Sequence, residues 1–265
     1  LPLLERVGKR AEPTPAGILL LERGGRALDA LEAAAASVHA LRGVVAGRVR
    51  VGTGATASIY LLPPILRRLR VRYPEIELVI VTGNTPEIAK AVAENALDVG
   101  VVTLPVRPRQ LVVMPFYRDR LVAIAPPKWR WQGRRGRGRR GRSRRALTPA
   151  DLAGEPLILY ERGGTIRQVI EGWFRRGRVT PRVAMELGNG EAIKELVSAG
   201  LGPSITSWVS VRAEARAGTL RVLPLSPPLA RRLGTIKRRD KPENPALRAL
   251  LRALERRAGG RKRIS

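Results

Sequence analysis

Small hydroxyl-bearing and glycine residues recur wherever an apolar segment of the chain ends. Thr53, Gly54, Ala55, Thr56, Ala57 and Ser58 follow the alternating stretch Arg48-Val49-Arg50-Val51, and Gly83-Asn84-Thr85-Pro86 follows the apolar run at 76–81. Thr103 comes after Leu97-Asp98-Val99-Gly100-Val101-Val102. Gly163-Gly164-Thr165 and Gly188-Asn189-Gly190 follow the segments at 157–160 and 182–187, and Thr206 closes the segment at 203–206. Small side chains leave backbone N–H groups exposed, hydroxyls add donors, and a helix start behind them favours negative charge. Such a set suits a carboxylate or a similar anion. Taken singly, each of these residues is equally a helix cap with no ligand. Their convergence on one cleft makes Thr53, Ala55, Thr56, Ser58, Asn84, Thr103, Gly164, Thr165, Asn189 and Thr206 the expected effector-binding set.

Bond-making chemistry has little to work with here. The chain has no cysteine and one histidine, His39, which removes thiolate metal sites, a cysteine nucleophile and most imidazole catalysis. Glu161, Glu186 and Glu191 have no histidine or cysteine to complete a catalytic constellation. Asp98 begins a strand and Asp119 lies between Arg118 and Arg120, so surface or structural pairing is expected of both. No enzyme, no metal and no cofactor are expected.

The elements that would position the cleft follow from periodicity. Strands are expected at 48–52, 76–81, 97–102 and 111–115, with helices at 59–72 and 85–94, which makes an α/β lobe with parallel strands. The strand at 121–125 crosses into a second lobe. There, strands at 157–160, 182–187 and 203–206 alternate with helices at 165–176, 190–199 and 207–217. Segments at 220–223 and 233–238 return as strands, and an amphipathic helix at 245–257 closes the chain. A chain of 265 residues is long enough for two lobes with proper cores, which 44% hydrophobic and 4% aromatic content makes aliphatic. A two-lobed domain is expected at 47–258: subdomain I at about 47–120 plus 224–258, and subdomain II at about 121–223.

The net charge of +28 fits polyanion partners or anionic ligands, and equally a solvated surface rich in arginine. Its densest stretch is 128–145, KWRWQGRRGRGRRGRSRR, which has no acid and no apolar period and reads as a surface loop. Trp129 and Trp131 would there be available to stack on bases. No apolar run approaches the roughly 20 residues of a membrane span, so no membrane partner and a cytoplasmic location are expected.

The chain opens without Met on LPLLERVGKRAEPTPAG. An apolar end, a basic turn around Gly8 and a capped helix are what a winged helix-turn-helix leaves when cut after its recognition helix. Residues 1–14 are read as its wing, with Arg6, Lys9 and Arg10 as contacts to the DNA backbone. Thr14 caps a helix and Pro15 takes its first position. That helix, 15–43 with its ending glycine, is expected to be about 40 Å long. Leu21, Leu28, Leu31, Ala35 and Val38 form a narrow seam along it, suited to dimerisation, the alternative being a helix packed on its own domain.

Over nearly its whole length the chain resembles a LysR-type transcriptional regulator. The resemblance rests on LLERVGKRAEPTPAG, GRVRVGTGATASIYLLPPIL, YPEIELVIVTGNTPEI, LDVGVV, LTPADLAGEPLI and ELVSAGLGPSI, in the family's order. It implies a winged helix-turn-helix, a linker helix, and two Rossmann-like subdomains of the type 2 periplasmic-binding-protein fold. It also implies a homodimer or homotetramer that binds double-stranded DNA in the full-length protein and responds to a small, often anionic co-inducer. Similarity to the family's cleft favours Thr53, Thr56, Ser58, Thr103, Thr165 and Thr206 most. Two alternatives share parts of this pattern: a transporter's solute-binding protein, and a nonspecific nucleic-acid-binding module acting through the arginine-rich loop.

Overall fold

The computed structural model describes residues 1–41, 44–106, 109–131 and 146–259. The arginine-rich run at 132–145 and the tail at 260–265 lie outside the described residues, and with them the nucleic-acid reading of that loop.

The first residues form a two-stranded hairpin, β1 (Leu4–Val7) and β2 (Arg10–Pro13), turning at Gly8 with φ of 64°. That φ favours glycine because no Cβ meets the backbone there. Arg6, Lys9 and Arg10 are all exposed on the hairpin. Helix α1 (Pro15–Leu41) follows, and its start is capped as the sequence predicts: the Gly17 N–H donates to Thr14 Oγ1 at 3.1 Å. Leu21, Leu28, Leu31 and Val38, the seam residues, are 60–68% exposed. The other side of α1 docks on the body of the protein, which leaves the seam on its outward face.

The body is one eight-stranded sheet in the order β4-β3-β5-β10-β6-β9-β7-β8. Its first end is parallel: β3 (Gly47–Thr53) lies between β4 (Ile76–Thr82) and β5 (Val99–Leu104). A π-helical turn (Ala57–Leu61), α2 (Pro63–Arg72) and α3 (Thr85–Ala93) make the crossovers. The single helix expected at 59–72 is thus divided, because Pro63-Pro64 supplies no N–H to continue the first turn. The other end carries α4 (Pro149–Ala153), β7 (Leu157–Tyr160), α5 (Thr165–Arg176), β8 (Val183–Leu187), α6 (Gly190–Ser198) and β9 (Ser204–Ser207). A 3-10 turn (Trp208–Val211) and α7 (Arg212–Ala217) stand where one helix was expected at 207–217.

Two long antiparallel strands join these ends. β6 (Leu111–Ala125) and β10 (Arg221–Arg238) pair along their lengths, with register shifts between Pro224 and Leu229 and between Leu233 and Gly234. Each had been expected as two short strands. Polar residues such as Arg118, Asp119, Arg231 and Arg232 interrupt the apolar pattern, while the ladder of backbone bonds runs on through them. α8 (Pro245–Gly259) packs Leu247, Leu250 and Leu254 back onto the first end.

Buried side chains form separate clusters on either side of the central strands. One gathers Leu121–Ala125, Trp173, Phe174 and Ile205; the others gather Val49, Ile65, Val99 and Leu250, and Ile88, Val102 and Ile236. Trp131 is buried in the first of these, and Trp129 packs against it while its indole N–H donates to Glu155 at 3.2 Å. The expectation that both tryptophans stack on bases is therefore corrected. Their rings do more by filling the second lobe's core than by standing in water.

Candidate functional site

The C-terminal ends of β3, β4, β5, β7 and β8 open on one cleft of about 350 Å³ between the lobes. Seven of the ten expected residues line it: Ala55, Thr56, Asn84, Thr103, Gly164, Thr165 and Asn189. Three do not. Thr53 is fully buried in β3, where its hydroxyl donates to the Val101 carbonyl on the neighbouring strand at 3.2 Å. Ser58 turns back to the Ala55 carbonyl of its own turn, at 2.8 Å. Thr206 is covered by Tyr160, whose hydroxyl lies 2.8 Å from its own.

Helix capping claims part of the remaining set. The Asn84 side chain accepts the Glu87 N–H at 3.0 Å while Glu87 accepts the Asn84 N–H, a closed capping box. Asn189 accepts the Glu191 N–H at 2.8 Å. The N–H groups of Ala57 and Ser58 are taken by the Gly54 carbonyl. Thr56 and Gly164 make no side-chain cap bond at their helix starts.

Among the side chains that line the same cavity and that sequence reasoning missed are Glu87, Tyr160, Glu161 and Arg231. Tyr160 and Glu161 end β7, so the strand-end rule that found the others could have included them. Arg231 carried no local signal, because it lies mid-strand on β10 in the run Leu229-Ala230-Arg231-Arg232-Leu233. It is 8% exposed. Its Nε donates to Asp119 Oδ2 at 2.8 Å, and Nη1 reaches Thr103 Oγ1 at 3.4 Å. Its Nη2 is buried with no hydrogen-bond partner among the described residues. Asp119 also accepts Ser207 Oγ at 2.7 Å, so it pairs across the central strands rather than with Arg118 or Arg120. Burial pushes the Tyr160 phenol above its ordinary range, which keeps it a neutral donor and acceptor.

Behind the cleft, the lobes are tied together. Tyr60, in the π-helical turn of the first lobe, donates to Glu191 Oε2 at 2.8 Å and accepts Lys194 Nζ of α6 at 2.8 Å. Lys194 also meets Glu214 Oε1 at 2.6 Å and the Ser210 carbonyl at 3.0 Å. Burial works against the Lys194 ammonium, but Glu191, Glu214 and Tyr60 outweigh it and hold its pKa above the usual lysine range. A second cluster fixes α1 to the first lobe. Asp29 meets Lys241 Nζ and Asn95 Nδ2, each at 2.6 Å, and Arg50 Nη2 at 3.4 Å. Asp98 takes Arg50 Nη2 at 2.7 Å and Lys241 at 2.8 Å. Asp98 is thus a structural pair, as expected. No group of three or more possible metal ligands occurs among the described residues.

A two-lobed α/β body behind a basic hairpin and a long helix invites comparison with known proteins. Residues 42–259 match the LysR substrate binding domain. The chain belongs to the LysR-type transcriptional regulators. It is 35% identical over 257 residues to the HTH-type transcriptional regulator CbbR of Xanthobacter flavus, covering 96% of this chain and 74% of that one. It is 33% identical to the regulator YeiE of Escherichia coli, over 94% of this chain and 80% of that one. Among solved structures, the regulatory domain of Synechocystis CcmR in complex with 2-PG superposes with a TM-score of 0.71 at 26% identity, covering 81% of this chain and 99% of that chain. A full-length OxyR of Pseudomonas aeruginosa shares the fold, with a TM-score of 0.74 at 20% identity over 95% of this chain and 79% of that chain. The regulator thus has the two-lobe, periplasmic-binding-like fold of this family, and its relatives are transcriptional regulators rather than transporter components or enzymes. No helix among the described residues is long and apolar enough to cross a membrane.

Proposed function

We propose that this LysR-type regulator senses a small oxyanionic metabolite in the cleft between its lobes and passes the signal through α1 to paired DNA-binding domains. One observation carries the reading: Arg231 lines the cleft, nine-tenths buried, with a guanidinium nitrogen that has no hydrogen-bond partner among the described residues. A buried donor without a partner is costly, and an incoming oxygen acceptor removes that cost. Thr56, Thr103 and Thr165 supply further hydroxyls beside it. The moving units in this reading are 47–120 with 224–258, and 121–223, hinged on β6 and β10. Those strands carry Asp119 and Arg231, so an anion bound at Arg231 acts at the hinge itself.

The exposed seam of α1 supports a homodimer or homotetramer, and exposed Arg6, Lys9 and Arg10 support contact of the wing with the backbone of duplex DNA. A cytoplasmic site of action goes with that role. Titration calorimetry against a broad set of metabolite acids tests the sensor. Arg231→Lys keeps a cation for Asp119 but lacks the second fork nitrogen, and is expected to weaken binding by about 10-fold or more. Thr56→Ala is expected to weaken it by about 5-fold. If no acid binds the folded protein, the reading fails.

A further inference from the structure

Although the protein as a whole is strongly basic, the side chains facing the cleft are not. Its one buried cation among the described residues, Arg231, is already shared with Asp119, and two carboxylates, Glu87 and Glu161, line the same cavity from opposite lobes. Glu87 is occupied in its capping box. Glu161 is different: no hydrogen bond or ion pair among the described residues engages its carboxylate.

Local backbone fixes the position from which that side chain extends. The Glu161 N–H donates to the Leu187 carbonyl at 2.9 Å, which fixes the end of β7 beside the end of β8. A Cβ placed on Gly188 would come within 3.0 Å of Cδ, Oε1 and Oε2 of Glu161 together. A Cβ on Gly190 would come within 2.8 Å of the Tyr160 hydroxyl. The glycines flanking Asn189 therefore do more than expose backbone N–H groups to a ligand. They clear the space in which Tyr160 and Glu161 lie against the wall of the cleft.

We infer that Glu161 is a specificity residue of the effector site. The site takes a ligand with one acidic group, for Arg231, and a hydroxyl or ammonium donor for Glu161, and it disfavours ligands with acids at both ends. This rests on the sensor reading above and adds to it the chemical class of the effector. Like charges facing each other across a ligand-sized space repel, whereas a donor meeting a free carboxylate makes a charge-assisted hydrogen bond. The basic composition alone would have favoured polyanions; the distribution of charge at the site reverses that preference.

The test compares three sets of metabolite acids on the full chain, by thermal stabilisation and calorimetry. The sets are polyacids such as succinate, plain monoacids such as butyrate, and donor-bearing monoacids such as 4-hydroxybutyrate and 4-aminobutyrate. Wild type is expected to prefer the third set to the first. Glu161→Gln is expected to narrow that preference by about 5-fold, the upper range for one solvent-accessible charge contact, with affinity for plain monoacids unchanged. Gly188→Ala, whose new methyl takes the space of the carboxylate, is expected to move the ratio the same way. A wild-type preference for polyacids, or a ratio indifferent to both substitutions while Arg231→Lys still weakens binding, overturns this inference and leaves the sensor reading standing. Absence of binding by any set brings down both.

Discussion

Two polar clusters in this protein contain similar residues and differ in how completely they are satisfied. At the seam between α1 and the first lobe, Asp29, Arg50, Asp98 and Lys241 each have at least two partners, and Asn95 joins them through both its amide nitrogen and its oxygen. At the cleft, among the described residues, the Arg231 Nη2 is buried with no hydrogen-bond partner and the Glu161 carboxylate has none either. Both clusters set acids against bases at a junction between elements. The seam is closed on itself and holds one element to another; in the proposed reading, the open valences of the cleft are met by an effector. Between these two clusters the difference lies in how fully hydrogen bonding is met, rather than in the presence of charge.

The strongest way to break that contrast is to remove the cation of the cleft. Arg231→Met leaves Asp119, 1% exposed, as a buried charge without its partner, and is expected to cost about 3–5 kcal/mol in urea unfolding. The double variant Arg231→Met/Asp119→Leu is expected to recover most of that stability and none of the effector binding. If the double variant binds effector normally, the cleft has lost its anchor in this account.

Asp98→Asn probes the closed cluster and is expected to cost roughly 2–3 kcal/mol, since hydrogen bonds to a charged group are lost. Burial would raise the Asp98 pKa, but hydrogen bonds from Arg50 and Lys241 outweigh it and hold the group below the usual aspartate range. A depressed carboxyl contributes stability that is fully present above its unfolded value of about 3.9 and is lost as pH falls through its folded value. Melting temperatures from pH 5 downward should therefore fall less steeply for Asp98→Asn than for wild type. Effector affinity is expected to be unchanged, which sharpens the difference between the clusters.

The inter-lobe tie stands between the two cases: Tyr60 and Lys194 are fully engaged across the hinge, while Glu214 Oε2 is buried with no hydrogen-bond partner among the described residues. Tyr60→Phe removes the hydroxyl that ties the first lobe to the Lys194–Glu191 pair and is expected to cost about 1 kcal/mol. Small-angle scattering of the free protein should show a wider distribution of lobe separations. The raised Lys194 pKa carries the opposite sign to Asp98: its contribution is complete below the unfolded value of about 10.4 and is lost only as pH rises beyond it. The smallest effect on folding is expected from Leu28→Glu with Leu31→Glu on α1. Exposed positions change stability by about 0.5 kcal/mol or less, while sedimentation should report loss of self-association.

Much of the cleft was legible because its residues mark transitions in local pattern. Thr56, Gly164 and Thr165 sit where an apolar strand gives way to a helix start, and both periodicities can be read along the chain. Thr53, Ser58 and Thr206 belong to the same pattern and still miss the cavity. Whether a hydroxyl at a strand end faces the opening or a neighbouring strand depends on pairing, and pairing is not local. Trp129 and Trp131 failed for a related reason: flanking arginines made them look solvated, whereas the core beside them lies far off in sequence.

By itself the sequence determined the alternation of strands and helices, the capped linker helix with its seam, the absence of cysteine chemistry and the family. These follow from composition, from periodicity, and from motifs that lie contiguous in the chain. Only the tertiary structure decided that β6 and β10 run unbroken between the lobes and bring Arg231 opposite Asp119 and beside Thr103, residues 112 and 128 positions away. It also set Gly188 against the Glu161 carboxylate. Charge complementarity across a cleft is set by which strands pair and in what register, and long-range pairing leaves no mark on the residues to either side.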